Sequence, residues 1–265
     1  AAGGLDPFEA AEGTVEGLTA MLRAEFMDVD LKLEGAEVRV LNVDPPVLRV
    51  GSFMPAEDCD ALVGAAASSG ELKPSPVGSA GPGGAQKNIR TSRTAALSGT
   101  GPLASHPARG ALLARAEGLL PALRGLGGSG SGFKAPSRPG EWSFELPQVA
   151  HYRGGEKFDT HEDAFPAALA EQKGYQRRAT VLTYLNDVPE GGETRFDHLG
   201  LAVAPRKGDA LLFFPGTAAG EPDHRTLHTA TPASEGHEKW IAQLWVSCGV
   251  GERKDLTKGE ALLEG

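Results

Sequence analysis

Cysteine is nearly absent from this 265-residue chain: only Cys59 and Cys248 occur, which excludes a disulfide-framed fold and allows at most one bridge. No stretch approaches the roughly 18 apolar residues of a membrane span. No basic segment followed by an apolar run stands at the start, and the chain opens at Ala1 rather than Met, as a processed or trimmed form would. Basic residues are outnumbered, 26 Lys and Arg against 35 Asp and Glu, for a formal charge of −9 and a pI near 5.3. That balance argues against general binding to nucleic acid or to an anionic membrane, since both select positive surface.

At 27.5 kDa the chain suits one large domain, or one domain with a helical extension, and can bury a substantial core. Asp6-Pro7-Phe8-Glu9 has the order of a helix start, with Asp6 as N-cap and Pro7 at the first helical position. Phe8, Ala11, Val15, Leu18, Leu22 and Phe26 follow at helical spacing, which predicts a helix lying against a sheet. Val38 and Val40, then Val47, Leu48 and Val50, predict short strands around Pro45-Pro46. A second helix is expected from Pro55 to about Ser68, burying Cys59, Leu62 and Val63, and a third from Pro107 to Leu123. Residues 69–88 are rich in Gly, Pro and Ser, which suits either a functional lid, the sharper expectation, or a disordered segment; Gly125 to Gly140 has the composition of a flexible insertion.

From Trp142 the texture changes to short runs of β-branched and aromatic residues, separated by turns such as Pro189-Glu190-Gly191-Gly192. This is the pattern of an antiparallel sandwich or jelly roll. Thr180 to Leu185 suits a central strand that lines a pocket on one side, and Ala210 to Phe214 a buried core strand. No internal repeat is evident. The expected fold is α+β and mainly β. A double-stranded β-helix (jelly-roll) core at about 142–248 lies inside a domain at 36–248, after a helical extension at 1–35 and before a charged tail at 249–265.

His161-Glu162-Asp163, a distant His228 and then Lys239-Trp240 supply two imidazoles, a carboxylate and a cation. Two His and one carboxylate can form the open face of a non-haem Fe(II) site. On a strand, the i, i+2 spacing would put His161 and Asp163 on one side and turn Glu162 away. His224 is the rival to His228, but Asp223-His224 fits a polar turn. His151 would oppose Tyr152 across its strand as a structural histidine, while His198 and His237 fall in turns and are expected to be exposed.

Around these residues stand Tyr152-Arg153-Gly154-Gly155, Ala179 to Leu185, Gly191-Gly192-Glu193-Thr194, Lys207 to Phe213, Leu227-His228 and Gly236 to Trp240. The series, from Gln148 to Trp245, resembles the catalytic domain of prolyl 4-hydroxylases, within the Fe(II)- and 2-oxoglutarate-dependent dioxygenases. Pro55 to Leu62 and Asn88-Ile89-Arg90-Thr91-Ser92 extend the likeness upstream. The resemblance implies His161, Asp163 and His228 as iron ligands and Lys239 as the cation for the distal carboxylate of 2-oxoglutarate, with Tyr152 and Thr180 assisting. It implies Arg90, Arg177 and Trp245 at the substrate, and Fe(II), 2-oxoglutarate, O2 and L-ascorbate as cofactors.

The implied reaction is hydroxylation of a proline-containing peptide or protein, coupled to decarboxylation of 2-oxoglutarate to succinate and CO2. The implied location is the secretory pathway or endoplasmic reticulum. Glu162 departs from the aromatic residue that often fills its position in the plant and algal enzymes, and an acid there favours a different or more basic substrate. Three alternatives stand beside this reading. One is the same chemistry on another amino acid or a small molecule. Another is a silent module that grips Pro-rich peptides. The third is a zinc-binding cupin-like protein, which would have no need of the downstream lysine.

Overall fold

Two long strands, covered on both faces, position everything else. The computed structural model of the chain describes residues 15–75, 90–97, 103–104, 106–126 and 133–251. The helix start at Asp6, most of the expected lid and most of the tail lie outside the described residues. Helix α1 (Val15–Met21) continues into a wider π-helical turn over Leu22–Phe26. Its apolar stripe meets the core as expected: Leu22 is buried, and the Phe26 ring centroid lies 4.9 Å from that of Phe214.

Strands β1 (Glu37–Val43) and β2 (Pro46–Gly51) pair antiparallel around a cis Asp44–Pro45 bond. Helix α2 (Ala56–Ser68) starts behind Pro55 and buries Cys59, Leu62 and Ala66, with Val63 only partly covered. Strands β3 (Lys73–Pro74) and β4 (Arg93–Ala96) follow. Helix α3 (Pro107–Leu119) stops short of the expected Leu123, because a proline at 121 has no N–H to continue the ladder; Pro121–Leu123 forms a 3-10 turn instead.

The remaining strands are β5 (Trp142–Phe144), β6 (Gln148–Tyr152), β7 (Phe158–His161), β8 (Tyr175–Tyr184), β9 (Thr194–Phe196), β10 (Leu201–Val203), β11 (Ala210–Phe213), β12 (His228–Ala230) and β13 (Lys239–Gly249). They build two antiparallel sheets. The larger has the order β1-β2-β11-β8-β13-β6-β4-β3, with β5 also on β13; the smaller has the order β10-β9-β12-β7. Together they form the jelly-roll core. Leu211, Phe213, Leu182 and Ile241 of the large sheet meet Phe196, Val203 and Ala230 of the small one between the layers. On the other face, Val181, Ala242, Leu244 and Val246 pack with Leu62, Leu112 and Ala116 of the helices.

Because side chains alternate along a strand, β13 presents Lys239, Ile241, Gln243 and Trp245 to the space between the sheets and Trp240, Ala242 and Leu244 to the helical layer. Strand β8 does the same with Thr180, Leu182 and Tyr184 against Val181 and Thr183. His151 follows this rule: it stacks on Trp240 at 3.9 Å, and its Nε2 lies 2.7 Å from Glu238 Oε2.

Two departures from the sequence reading have local causes. A short helix, α4 (Ala167–Lys173), intervenes before β8, opened by Pro166 and closed by Gly174 at φ 75°. A left-handed glycine of this kind is a common helix stop. Of the Gly125–Gly140 stretch, residues 133–140 are pinned rather than loose. Gly140 N–H donates to Gly249 O at 3.0 Å, and the Phe133 ring meets Tyr175 edge-on at 5.7 Å.

Candidate active site

Pairing of β7 with β12 sets His228 directly opposite His161. Asp163 follows two residues after β7 ends. His161 Nε2 lies 3.9 Å from Asp163 Oδ1, and His228 Nε2 lies 3.9 Å from Asp163 Oδ2. One donor atom from each of the three residues falls within 4.8 Å of the others. The opposite ring nitrogens meet backbone carbonyls, His161 Nδ1 on Asp159 O at 2.8 Å and His228 Nδ1 on Thr226 O at 3.1 Å. A carbonyl only accepts, so each Nδ1 carries the proton and each Nε2 turns a lone pair toward Asp163.

Electrostatics agree with that assignment. Burial, helped by His228, pushes His161 down to about 3, so its imidazole is neutral at physiological pH and available as a ligand. Burial on its own would raise the Asp163 carboxyl. His228, His161, Arg177 and the Thr180 hydroxyl outweigh it and hold Asp163 below the usual carboxylate range. Three deprotonated donors within 4.8 Å of one another, with no fourth such ligand among the described residues, suit a metal that must also take exogenous ligands. His224 is not part of this group. It sits in an exposed turn, where its Nδ1 contacts Glu162 Oε1.

Lys239 enters from the large sheet and is 1% exposed. Among the described residues its Nζ has no hydrogen-bond partner; the Tyr152 and Tyr184 ring centroids stand 5.8 and 5.7 Å away. Burial pushes this amine down to about 7, against the opposing pull of Glu193. A buried ammonium without a partner is costly. A small anion inserted between the sheets would satisfy it, so the donor set and the orphaned cation together fit a metal with a carboxylate co-ligand.

The structure separates the residues grouped with Lys239 by resemblance. Tyr152 is its direct register partner across β6 and β13. Thr180 is not nearby: it pairs with Trp245, six residues along β13 from Lys239 or roughly 20 Å of strand. Its Oγ1 donates to Asp163 Oδ2 at 2.8 Å, which places it at the metal face instead. At the Lys239 end the hydroxyl is that of Thr194, which accepts from Tyr184 OH at 2.9 Å.

Arg90, Arg177 and Trp245 lie around the metal face. Arg90 stands 4.7 Å over the Phe158 ring, which itself stacks on His161 at 3.4 Å. Arg177 forms two bonds to Glu145, at 2.8 and 2.7 Å, and lies between the rings of Trp245 at 3.8 Å and Phe165 at 4.7 Å. Sequence reasoning missed Gln243, whose Nε2 reaches both Asp163 oxygens at 3.4 Å. Its place on the Lys239 face of β13 was the available signal.

Glu162 also differs from expectation. Strand β7 ends at His161, so alternation no longer governs the next side chain. Glu162 turns into a cavity of about 780 Å3, together with His161, Asp163, Phe158, Phe165 and Arg177.

The sequence profile of the 2OG-Fe(II) oxygenase superfamily matches residues 147–247, a span that holds the triad, Gln243 and Lys239. Probable prolyl 4-hydroxylase 9 of Arabidopsis thaliana is 32% identical over 229 residues, covering 78% of this chain and 70% of the relative. Probable prolyl 4-hydroxylase 6 of the same plant is 40% identical over 129 residues, but this chain spans only 44% of its length. Among solved structures, a viral collagen prolyl hydroxylase from Paramecium Bursaria Chlorella virus-1 superposes with a TM-score of 0.57. It is 24% identical, with 76% of this chain and 96% of that chain covered, which establishes a shared fold. The chain belongs to the prolyl 4-hydroxylase family of 2-oxoglutarate- and Fe(II)-dependent oxygenases. That family uses Fe(II), 2-oxoglutarate and O2.

Proposed function

We propose that this chain is a dioxygenase that hydroxylates peptidyl proline while converting 2-oxoglutarate to succinate and CO2. The observation that carries the reading is the pairing of two features in one cleft: a convergent His161–Asp163–His228 donor face and the orphaned cation of Lys239 deeper between the sheets. A zinc cupin or a silent peptide-binding module gives no reason to bury Lys239 without a partner. L-Ascorbate belongs to the proposal as the accompanying reductant, and the relatives named prolyl 4-hydroxylases support the choice of proline.

When bound, Fe(II) with 2-oxoglutarate and O2 supplies the oxidation of a C–H bond to C–OH. The chain's residues prepare the place. His161, Asp163 and His228 would hold the metal. Thr180, by its hydrogen bond, and Gln243, by a longer contact, orient the Asp163 carboxylate. Lys239 pairs as a point charge with the distal carboxylate of 2-oxoglutarate, and Tyr152 and Tyr184 wall that end. Ile241, Leu182 and Phe213 keep the surrounding space apolar, which strengthens the ion pair by excluding water. Arg177, held by Glu145 and lying over Trp245, and Arg90 over Phe158 flank the metal face on the side proposed for the peptide.

The test is Fe(II)-loaded protein with 2-oxoglutarate and a panel of proline peptides, scored by succinate formed and by the gain of one oxygen on the peptide. Stoichiometric gain on proline is expected. Peptide binding with no succinate would make the chain a silent module. Succinate without any peptide oxidation, but stimulated by a small molecule, would move the substrate class.

A further inference from the structure

The cavity at the metal face contains one acid that the reaction does not employ. Glu162 is buried except for about a fifth of its side chain (22% exposed), and its partner among the described residues is His224, whose own side chain is 72% exposed. A contact with so exposed a partner is weak and readily exchanged. Neither the lysine nor the arginine lining the same cavity forms an ion pair with Glu162 among the described residues. Arg177 is held by Glu145, and the Lys173 ammonium lies 5.1 Å from the Phe165 ring and 5.6 Å from that of Tyr175. The walls near Glu162 are the apolar surfaces of Phe158, Phe165 and Leu227.

A peptide that covers this cavity strips water from Glu162. If the peptide is neutral there, the carboxylate loses hydration and gains no partner beyond His224; if it is acidic, repulsion is added. A lysine or arginine instead lays its aliphatic stem along the apolar walls and brings its head to the carboxylate. We propose that Glu162 is a specificity residue that selects peptides carrying a lysine or arginine next to the residue to be hydroxylated. This inference rests on the peptide-hydroxylase reading, since a small-molecule substrate has no flanking residue to select.

The test separates binding from turnover. Protein loaded with Mn(II) and the inert analogue N-oxalylglycine is titrated calorimetrically with proline peptides that differ only in the flanking residue: Lys, Gln or Glu, placed before or after proline. The lysine peptide is expected to bind roughly three- to fivefold more tightly than the glutamine peptide, the scale of a partly exposed charge pair, and the glutamate peptide more weakly than either. Rising salt should compress these ratios. Glu162→Gln should bring the Lys-to-Gln ratio to about one, and Glu162→Lys should invert the order. The same peptides are then offered to the Fe(II) enzyme. Selective binding of lysine peptides without oxygen gain would sink the prolyl reading and leave the charge selection standing. Equal binding of the three peptides to the unaltered protein, binding of none of them, or a ratio unchanged in Glu162→Gln, overturns the inference.

Discussion

The Thr180 hydroxyl donates to Asp163 Oδ2 at 2.8 Å, from a strand that carries neither histidine of the donor face. It therefore ties the large sheet to the metal-facing loop and fixes one carboxylate oxygen. Partners that orient a ligand in this way typically contribute 10- to 100-fold in metal affinity. Thr180→Val, which keeps the shape and removes the donor, should weaken Fe(II) binding by about that factor, and Thr180→Ser should restore most of it. Anaerobic metal titration measures this directly. If metal affinity holds and 2-oxoglutarate affinity falls instead, Thr180 serves the co-substrate, as the sequence resemblance implied.

The two candidate histidines of the 224–228 segment differ sharply in setting. His228 is buried and faces Asp163; the His224 side chain is mostly exposed and contacts Glu162. His228→Ala should abolish turnover and cost metal binding, while His224→Ala should retain turnover within a few-fold. Loss of activity in the second variant with retention in the first would reverse the assignment.

What the sequence made legible was local. The β8 and β13 alternation, the helix behind Pro55 and the His161/Asp163 spacing all follow from neighbours a few residues apart, and the structure places them accordingly. Contacts that depend on tertiary approach were not legible. Gln243 reaches Asp163 across 80 positions of chain; its place on the Lys239 face of β13 puts it in the cleft but does not say which residue it meets there. That Thr180 stands beside Asp163, and not at the register position of Lys239, depends on the register between β8 and β13, which is not written in either strand alone. Glu162 was expected to turn away because strand alternation was extended one residue past the point where β7 stops.

Gly191 shows how a turn supports the deeper end of the cleft. Its φ is 75°, and a Cβ there would stand 2.5 Å from Pro232 O, inside the bridge between Gly191 and Ala233. Gly200 has a comparable φ of 64° with nothing within 4 Å of an added Cβ. Gly200→Ala should therefore cost about 1 kcal/mol, from backbone strain alone, and Gly191→Ala more, about 2–4 kcal/mol, from strain plus the backbone clash. Urea unfolding of both variants gives the comparison. Equal losses would show that the turn relaxes and that close packing against Pro232 is unimportant.

The final prediction concerns Lys239, whose burial brings its amine down to about 7 while the unfolded lysine titrates near 10.4. Between these values the unfolded chain binds the extra proton, so this group makes the ligand-free protein more stable as pH rises from about 7 toward 10. Lys239→Met should remove that slope and raise ligand-free stability at pH 6 to 7, because it replaces an unpaired buried charge by an apolar side chain of similar length. The co-substrate reverses the preference. Its carboxylate pairs only with the ammonium, so 2-oxoglutarate affinity should fall from pH 7 to 9, approaching tenfold per unit well above the amine's pKa. Binding at pH 8 should take up a proton, since pairing raises the amine's pKa. Calorimetry in two buffers of different ionisation enthalpy, with the metal site saturated, reads both effects. Flat affinity from pH 7 to 9 with no proton uptake would show that Lys239 does not hold the carboxylate. A stabilised Lys239→Met variant that still bound 2-oxoglutarate tightly would place the co-substrate elsewhere in the cleft.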